Sequence, residues 1–166
     1  WWESTEDSLM VEVAHRCRPE TVVAASDKLY GDFLRLGCLA GTDKVTNHAF
    51  HRVYPKYLQP LRTTSTRSSL LEIGVYLGQS ILFWRDYLPR TSLFFIEVDP
   101  ALIQPWMERY STVFVGDQRN TTFLDNVVNR LGVVDVIVDD GGHTVEQQTV
   151  AFQTLWPSLK PGGEWT

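Results

Sequence analysis

From residue 70 onward, short apolar runs alternate with amphipathic stretches. The apolar runs predict strands, and the stretches between them predict helices. The predicted strands are Leu70–Ile73, Ser92–Val98, Thr112–Val115, Val133–Val138 and Glu164–Thr166, and the predicted helices are Ser80–Leu88, Ala101–Tyr110, Thr122–Leu131 and Val145–Leu159. Strict alternation of strands and helices predicts a parallel sheet covered by helices on both faces, which is a doubly wound α/β fold.

The first 62 residues have a different pattern. Residues 1–42 predict two helices, one on each side of Pro19, and the second ends at Gly37 or Gly41. A polar link at residues 63–69 follows the His- and Tyr-rich segment 43–62. We therefore divide the chain into a helical N-terminal extension, residues 1–62, and an α/β core, residues 70–166. Because the sequence lacks an initial Met and stops where a strand is predicted, we expect it to be part of a longer chain.

Composition narrows the function classes. Hydrophobic residues make up 43% and charged residues 21%, as in ordinary globular proteins. No apolar run approaches the ~20 residues of a membrane helix. The net charge of −5 argues against a nucleic-acid surface. Two cysteines, Cys17 and Cys38, cannot build a disulfide framework or a zinc site, although one bridge between them remains open. We expect a cytoplasmic protein.

A glycine-containing turn follows the first predicted strand. In doubly wound sheets the ligand lies beyond the carboxyl ends of the strands, where the strand order reverses. Gly74 and Gly78 allow a tight turn there, and the helix near Ser80 directs its N-terminal amides towards a ligand. The spacing is neither the glycine pattern of dinucleotide binders nor a phosphate-binding loop. It therefore favours a nucleoside without phosphates.

Polar side chains end the first three predicted strands. Glu97 ends the second strand, where an acid commonly accepts the ribose hydroxyls. Asp117, followed by Gln118, comes after the third strand and is placed to accept from an adenine amino group. Glu72 suits the ammonium of an amino-acid moiety. Each feature alone has another interpretation, since glycines form turns and acids cap helices. Together they favour S-adenosylmethionine (SAM) as the ligand.

The fourth predicted strand ends in two carboxylates. Asp139 and Asp140 precede two glycines and His143. Asp139 is assigned to the cofactor, and Asp140 offers the hard oxygen ligand that Mg²⁺ prefers. Histidine titrates near neutral pH, so His143 is a candidate general base. In the alternative interpretation, the two aspartates cap the next helix and His143 is a surface residue.

Several segments carry a family pattern. They are Leu71–Val75 with Gly78 and Ser80, Trp84–Pro89, Gly116–Gln118, Asp139–His143, Pro161–Gly163, and Gly41–Lys44 with His48, Tyr54 and Tyr57. They resemble the class I SAM-dependent O-methyltransferases of macrolide and deoxysugar tailoring. The resemblance covers residues 41–166. Residues 1–40 resemble no family that we recognise.

The resemblance implies a Rossmann-like fold and a magnesium-dependent sugar O-methyltransferase. Asp140 would be the first metal ligand and His143 the base, and a Glu-Asp pair beyond Thr166 would complete the metal site. The substrate would be a small molecule with a sugar-like hydroxyl, and a homo-oligomer stays open. His48, His51, Tyr54 and Tyr57 either line a substrate entrance or form a helix face packed on the sheet.

Three other functions remain as alternatives. A nicotinamide-dependent oxidoreductase uses a similar sheet, although the third glycine of its motif is missing. A non-catalytic or truncated methyltransferase-like domain would keep the scaffold alone. A metal-dependent glycosyltransferase would use the Asp139–Asp140 pair, but it gives the glycine turn no role.

Overall fold

In a computed structural model, the described residues are Cys17 and 28–166, without the side chain of residue 29. The first predicted helix and the start of the second lie outside them. The chain divides into two compact units. Among the described residues, the first comprises Cys17, 28–63 and 82–89, and the second comprises 64–81 and 90–166.

The described part of the first unit is helical. It contains α1 (Lys28–Ala40), α2 (Asp43–Thr46), α3 (Tyr54–Thr63) and the later part of α4 (Gln79–Tyr87). α1 ends just before Gly41, the second of its two predicted ends. The buried Phe33 ring lies 4.6 Å from the Phe83 ring and 4.8 Å from the Tyr87 ring, between centroids, so this unit has an aromatic core. Cys17 and Cys38 form a disulfide, the bridge that the sequence left open.

The second unit contains a parallel sheet of five strands. They are β1 (Ser68–Ile73), β2 (Thr91–Glu97), β3 (Thr112–Val115), β4 (Val134–Asp139) and β5 (Leu159–Trp165). Their order in the sheet is β3-β2-β1-β4-β5, and every pair is parallel. The predicted doubly wound fold is therefore confirmed. The strand order reverses between β1 and β4, which places the expected ligand crevice at their carboxyl ends.

Two further helices cover this sheet. α5 (Thr121–Leu131) begins after Asn120, whose side chain accepts from the Phe123 N–H. α6 (Val145–Leu155) begins with a capping box between Thr144 and Gln147. The buried core between sheet and helices consists of Leu71, Ile73, Ile96, Phe114, Leu124, Val127, Val134, Ile137, Ala151 and Leu155.

Three predicted elements differ from the structure by more than two residues. The segment 101–110 is not an α-helix but contains two short 3-10 turns, Pro100–Leu102 and Met107–Arg109, because Pro105 lacks an N–H and interrupts the helical ladder. α6 stops at Leu155 and a 3-10 turn containing Pro157 follows.

The fifth strand also begins earlier than predicted. β5 starts at Leu159 instead of Glu164 and includes Pro161-Gly162-Gly163, residue types that locally favour a turn. A register shift opposite Val134 and Val136 accommodates these residues. Among the described residues, no helix is long and apolar enough to cross a bilayer.

Candidate functional site

Strand register brings the predicted polar segments to one edge of the sheet. Ile73, the last residue of β1, is paired with Ile96 of β2 and with Asp139 of β4. Glu97 is paired with Val115 at the end of β3. The loops that follow β1, β2, β3 and β4 therefore start side by side, with those of β1 and β4 at the order reversal.

The glycine-containing loop after β1 forms a tight turn. Gly74 has φ +97° and donates its N–H to the Ile96 carbonyl at 2.8 Å. A side chain at Gly74 would overlap the backbone carbonyl of Asp140, so only glycine fits there. Gly78, at φ +84°, donates to the Val75 carbonyl at 2.9 Å. The loop after β1 is thus packed directly against the segment after β4.

Glu97 fixes the shape of that loop. Its Oε2 accepts the N–H groups of Val75 and Tyr76, both at 3.0 Å, and its Oε1 accepts the Asp99 N–H at 3.0 Å. The residue is buried. Asp99, rather than Glu97, caps the following 3-10 turn, so the helix-cap alternative does not apply to Glu97. Its carboxylate instead organises the backbone around the candidate cofactor site, a role for which the sequence offered no signal.

Two more predicted cofactor residues are buried beside this loop. Glu72 lies within β1 and is 1% exposed, and Ser80 lies in the first turn of α4 and is 8% exposed. A buried carboxylate is costly unless it is compensated. Glu72 places a carboxyl group inside the fold, two residues before Gly74.

Asp117 forms a local ion pair after β3. Its carboxylate accepts from the Arg119 guanidinium, with Nη2 to Oδ2 at 2.6 Å, and from the Arg119 N–H at 2.8 Å. These hydrogen bonds lower the pKa of Asp117, which keeps it ionised. Asp117 does not cap α5, because Asn120 does.

Gln118 extends from the end of β3 to the segment after β4. Its Nε2 donates to Asp139 Oδ1 at 3.3 Å, and its Oε1 accepts the Gly142 N–H at 2.6 Å. The side chain is buried. Both polar atoms of Gln118 are therefore engaged within the protein.

The backbone of the Asp139–Asp140 pair is anchored on both sides. The Asp139 N–H donates to the Thr166 carbonyl at 2.8 Å, and the Asp140 N–H donates to the Ile73 carbonyl at 3.0 Å. Both side chains are half-buried and His143 is exposed. Because Thr144 caps α6, neither aspartate caps that helix, and this part of the alternative interpretation is wrong. Its other part, that His143 lies at the surface, agrees with the structure. The Thr-x-x-Gln capping box is itself a readable sequence signal that the sequence interpretation missed.

The environment of Asp139 opposes ionisation. Burial raises its pKa, an effect partly offset by hydrogen bonds from the Gly141 N–H and Gln118 and by the charge of His143. The neighbouring Asp140 carboxylate raises the pKa further. Within the described ranges there is no group of three or more His, Cys, Asp or Glu side chains that could hold a metal ion. The pair nevertheless supplies the one or two carboxylates that Mg²⁺ typically takes from a protein.

The candidate substrate-entrance residues belong to the first unit. His48 stacks on Phe50, with ring centroids 5.1 Å apart, and Phe50 stacks on Tyr54 at 4.9 Å. Tyr57 is 42% exposed. Their role in a substrate entrance stays a prediction.

The chain is similar to proteins of one family. A protein-family model described as a methyltransferase domain matches residues 71–165. An 8-demethyl-8-(2-methoxy-alpha-L-rhamnosyl)-tetracenomycin-C 3'-O-methyltransferase of Streptomyces olivaceus is 31% identical over 150 residues, which cover 87% of this chain and 38% of that protein. The mycinamicin VI 2''-O-methyltransferase of Micromonospora griseorubida is 29% identical over 124 residues, 70% of this chain and 30% of that protein.

Solved structures of methyltransferases are also similar to this chain. The MycE methyltransferase from the mycinamycin biosynthetic pathway, in complex with Mg, SAH and mycinamycin VI, superposes with a TM-score of 0.70 at 26% identity. The match covers 81% of this chain and 38% of that chain. The chain therefore spans less than half the length of these relatives.

Proposed function

Because the chain belongs to the family of methyltransferase domains, whose pattern it carries over residues 71–165, we propose that it is the cofactor-binding part of a sugar O-methyltransferase. The enzyme transfers a methyl group from SAM to a hydroxyl of a sugar or glycosylated small molecule. The named activities of the relatives, on rhamnosyl-tetracenomycin and mycinamicin, support this substrate class.

One observation carries the proposal: the segment that holds Asp140 lies directly against the glycine turn at Gly74. The turn is the candidate cofactor loop, and Asp140 and His143 are the candidate chemical groups. Methyl transfer requires donor and acceptor to meet within one site. Adjacent loops at the strand-order reversal satisfy this requirement.

The cofactor would lie along the loops after β1, β2 and β3. Glu72, Gly74, Gly78, Ser80, Glu97, Asp117 and Asp139 are the residues assigned to it. Glu97 accepts three N–H groups, and a carboxylate has about four lone-pair sites, so it retains capacity for a ribose hydroxyl. When bound, SAM supplies a methyl group already activated by the positive sulfur. Gln118 was also assigned to the cofactor, but both of its polar side-chain atoms contact the segment after β4.

Asp140 would hold Mg²⁺, with further ligands from solvent, substrate or other parts of the protein. The half-buried Asp140 carboxylate fits a hard cation, since oxygen is the preferred ligand of such a cation. When bound, the metal acts as a Lewis acid that lowers the pKa of a hydroxyl oxygen.

His143 is the proposed general base. Its imidazole takes the hydroxyl proton while the new O–CH₃ bond forms and the S–CH₃ bond breaks, leaving a methyl ether and S-adenosylhomocysteine. Exposure of His143 lets it meet a substrate and pass the proton to solvent. Such a base contributes about 10²–10⁴-fold to the rate.

A second candidate is a nicotinamide-dependent oxidoreductase, which Glu97 alone favours, since an acid at that position also accepts the ribose of a dinucleotide. Calorimetric titration of the full-length protein with SAM, S-adenosylhomocysteine and NAD separates the two. We expect heat of binding from the first two ligands and none from NAD. Binding of NAD without SAM would overturn the proposal.

Product analysis tests the reaction itself. Incubation with SAM, Mg²⁺ and a rhamnosylated polyketide should yield a product heavier by one methyl group in place of hydrogen. Removal of the metal with EDTA should abolish the product, and added Mg²⁺ should restore it. Full activity in EDTA would remove the metal from the mechanism.

A further inference from the structure

Gln118 connects the two halves of the proposed site. It follows Asp117, which is assigned to the cofactor, and its side chain reaches the segment that carries Asp140 and His143. The sequence interpretation assigned Gln118 to the cofactor as well. Its contacts point elsewhere.

The orientation of the Gln118 amide is fixed by its partners. The Gly142 N–H is a donor and requires the amide oxygen, which lies 2.6 Å away. The amide nitrogen then faces Asp139 Oδ1 at 3.3 Å, where it can only donate. A reversed amide would oppose donor to donor and oxygen to carboxylate. Both hydrogen bonds therefore depend on one glutamine side chain in one orientation.

Gln118 packs closely against Gly141. A side chain at Gly141 would come within 2.5 Å of Gln118 Oε1 and 2.6 Å of Ile73 Cγ2. The absence of a side chain at Gly141 is thus what lets Gln118 lie against the backbone after β4. With 6% of its surface exposed, Gln118 offers little area for direct contact with a ligand.

We infer that Gln118 is a positioning residue, which holds Gly142 and Asp139 so that Asp140 and His143 stay in place for methyl transfer. The inference rests on the proposed function for the reaction it serves. Asp140 lies between the two residues that Gln118 holds, and His143 directly follows Gly142. Loss of the tie frees the Gly142 N–H, and the segment that carries the proposed base loses its link to β3.

Two variants and a control test the tie in the full-length protein. Gln118→Met preserves length and apolar bulk but removes both hydrogen bonds, whereas Gln118→Glu keeps an acceptor for the Gly142 N–H. Gln148→Met, at an exposed position on α6, is the matched control. Hydrogen exchange of the Gly142 amide, followed by NMR with ¹⁵N-glycine labelling, reports the tie without any reaction. Calorimetry gives SAM affinity, and steady-state kinetics give kcat.

We expect exchange at Gly142 to accelerate about tenfold or more in Gln118→Met and to accelerate less in Gln118→Glu, which keeps the acceptor for the Gly142 N–H but places a second oxygen against Asp139. In Gln118→Met, kcat should fall about tenfold or more while SAM affinity changes less than about threefold. Gln148→Met should behave as wild type in all three measurements.

Other results would overturn the inference. A loss of SAM affinity as large as the loss of kcat, with Gly142 exchange unchanged, makes Gln118 a direct cofactor contact. Unchanged exchange and unchanged kcat in Gln118→Met mean that the tie has no role. If Gln118→Met does not fold, Gln118→Glu decides: this variant removes the hydrogen bond to Asp139, and an unchanged kcat in the folded variant contradicts the inference. A wild-type protein that neither binds SAM nor transfers methyl disproves the proposed function instead, and the exchange data still decide whether the tie exists.

Discussion

The two ends of β4 shift the pKa of an aspartate in opposite directions. Asp135, near the amino end, accepts the Ser69 N–H at 2.8 Å and the Lys160 ammonium at 2.8 Å. Burial is the largest single influence and pushes its pKa up, but the hydrogen bonds from Lys160 and Ser69 together outweigh it, so the pKa of Asp135 is lowered. Asp139, four residues along the same strand, has its pKa raised by burial.

The difference lies in what surrounds each carboxylate. Asp135 is joined by a full positive charge from β5 and two donors from Ser69 of β1, so its ionised form stabilises the fold. Asp139 has weaker compensation and a second carboxylate beside it. One end of the strand therefore uses charge for stability, whereas at the other end the surroundings oppose the charge. Perturbed carboxylates of the second kind are typical of functional sites.

The largest expected effect comes from removing the basic residue that acts on each aspartate, His143 for Asp139 and Lys160 for Asp135. His143→Ala should slow methyl transfer by about 10²–10⁴-fold with SAM affinity and stability nearly unchanged, because the proton loses its acceptor. Lys160→Met is the matched variant at the amino end. It should leave kcat unchanged and lower the free energy of unfolding by up to about 1 kcal/mol. Steady-state kinetics, calorimetry and urea unfolding measure these quantities. A collapse of SAM affinity in His143→Ala would place His143 in the cofactor site.

Two glycine substitutions compare the packing beside the carboxyl end of β4, at Gly74, with the packing in β5, at Gly162. Gly74→Ala should lower the free energy of unfolding by about 2–4 kcal/mol, because the residue has φ +97° and its new methyl group meets the Asp140 carbonyl. Gly162→Ala, in β5, is the control: φ is +79° but nothing lies within 4 Å, so strain alone costs about 1 kcal/mol. Urea unfolding measures both values. Equal costs would show that the contact between Gly74 and Asp140 is not tight.

Paired Asp→Asn variants give the smallest effects but opposite signs. At neutral pH and without metal, Asp135→Asn should lose about 1–2 kcal/mol of unfolding free energy, because the hydrogen bond to Lys160 loses its charge. Asp139→Asn should be neutral or stabilising by up to about 1 kcal/mol, since it removes a charge that burial disfavours. Two losses of equal size would contradict the comparison.

The two differences also depend on pH in opposite ways. A lowered pKa gives stability that is present above the unfolded value, near 3.8, and disappears as the pH falls through the folded pKa. The deficit of Asp135→Asn should therefore shrink below about pH 4. A raised pKa favours the folded state below the unfolded value, and this is lost as the pH rises through the folded pKa. Any gain in Asp139→Asn should appear only above that pKa, as urea midpoints across the range would show.

The core strands were predictable because burial on both faces leaves a local signature of continuous apolar residues, as in the runs that became β1 and β2. Position along the strand then placed Glu97 and Asp140 at one edge without any knowledge of register. The start of β5 was not predictable in this way. Pro161 and two glycines indicate a turn locally, and only pairing with β4 makes them part of a strand.

Contacts between distant segments explain the rest. Ser69 and Asp135 are 66 residues apart along the chain and come together only when β1 lies beside β4. Which groups the Gln118 side chain can reach depends in the same way on the order of the strands in the sheet. The wrong helix over 101–110 has a different cause. Its apolar spacing was helical, but Pro105 lacks the N–H that a continuous helix would need at that position.

Tyr76 lowers the stability of the loop after β1. Its φ of +49° is unfavourable for a bulky side chain, the residue is 68% exposed, and its N–H donates to Glu97. Selection for stability alone would replace it with glycine or asparagine and recover about 1 kcal/mol. A lineage that retains an aromatic ring at this position therefore has a domain of lower stability. Such a domain tolerates fewer destabilising mutations at its other positions.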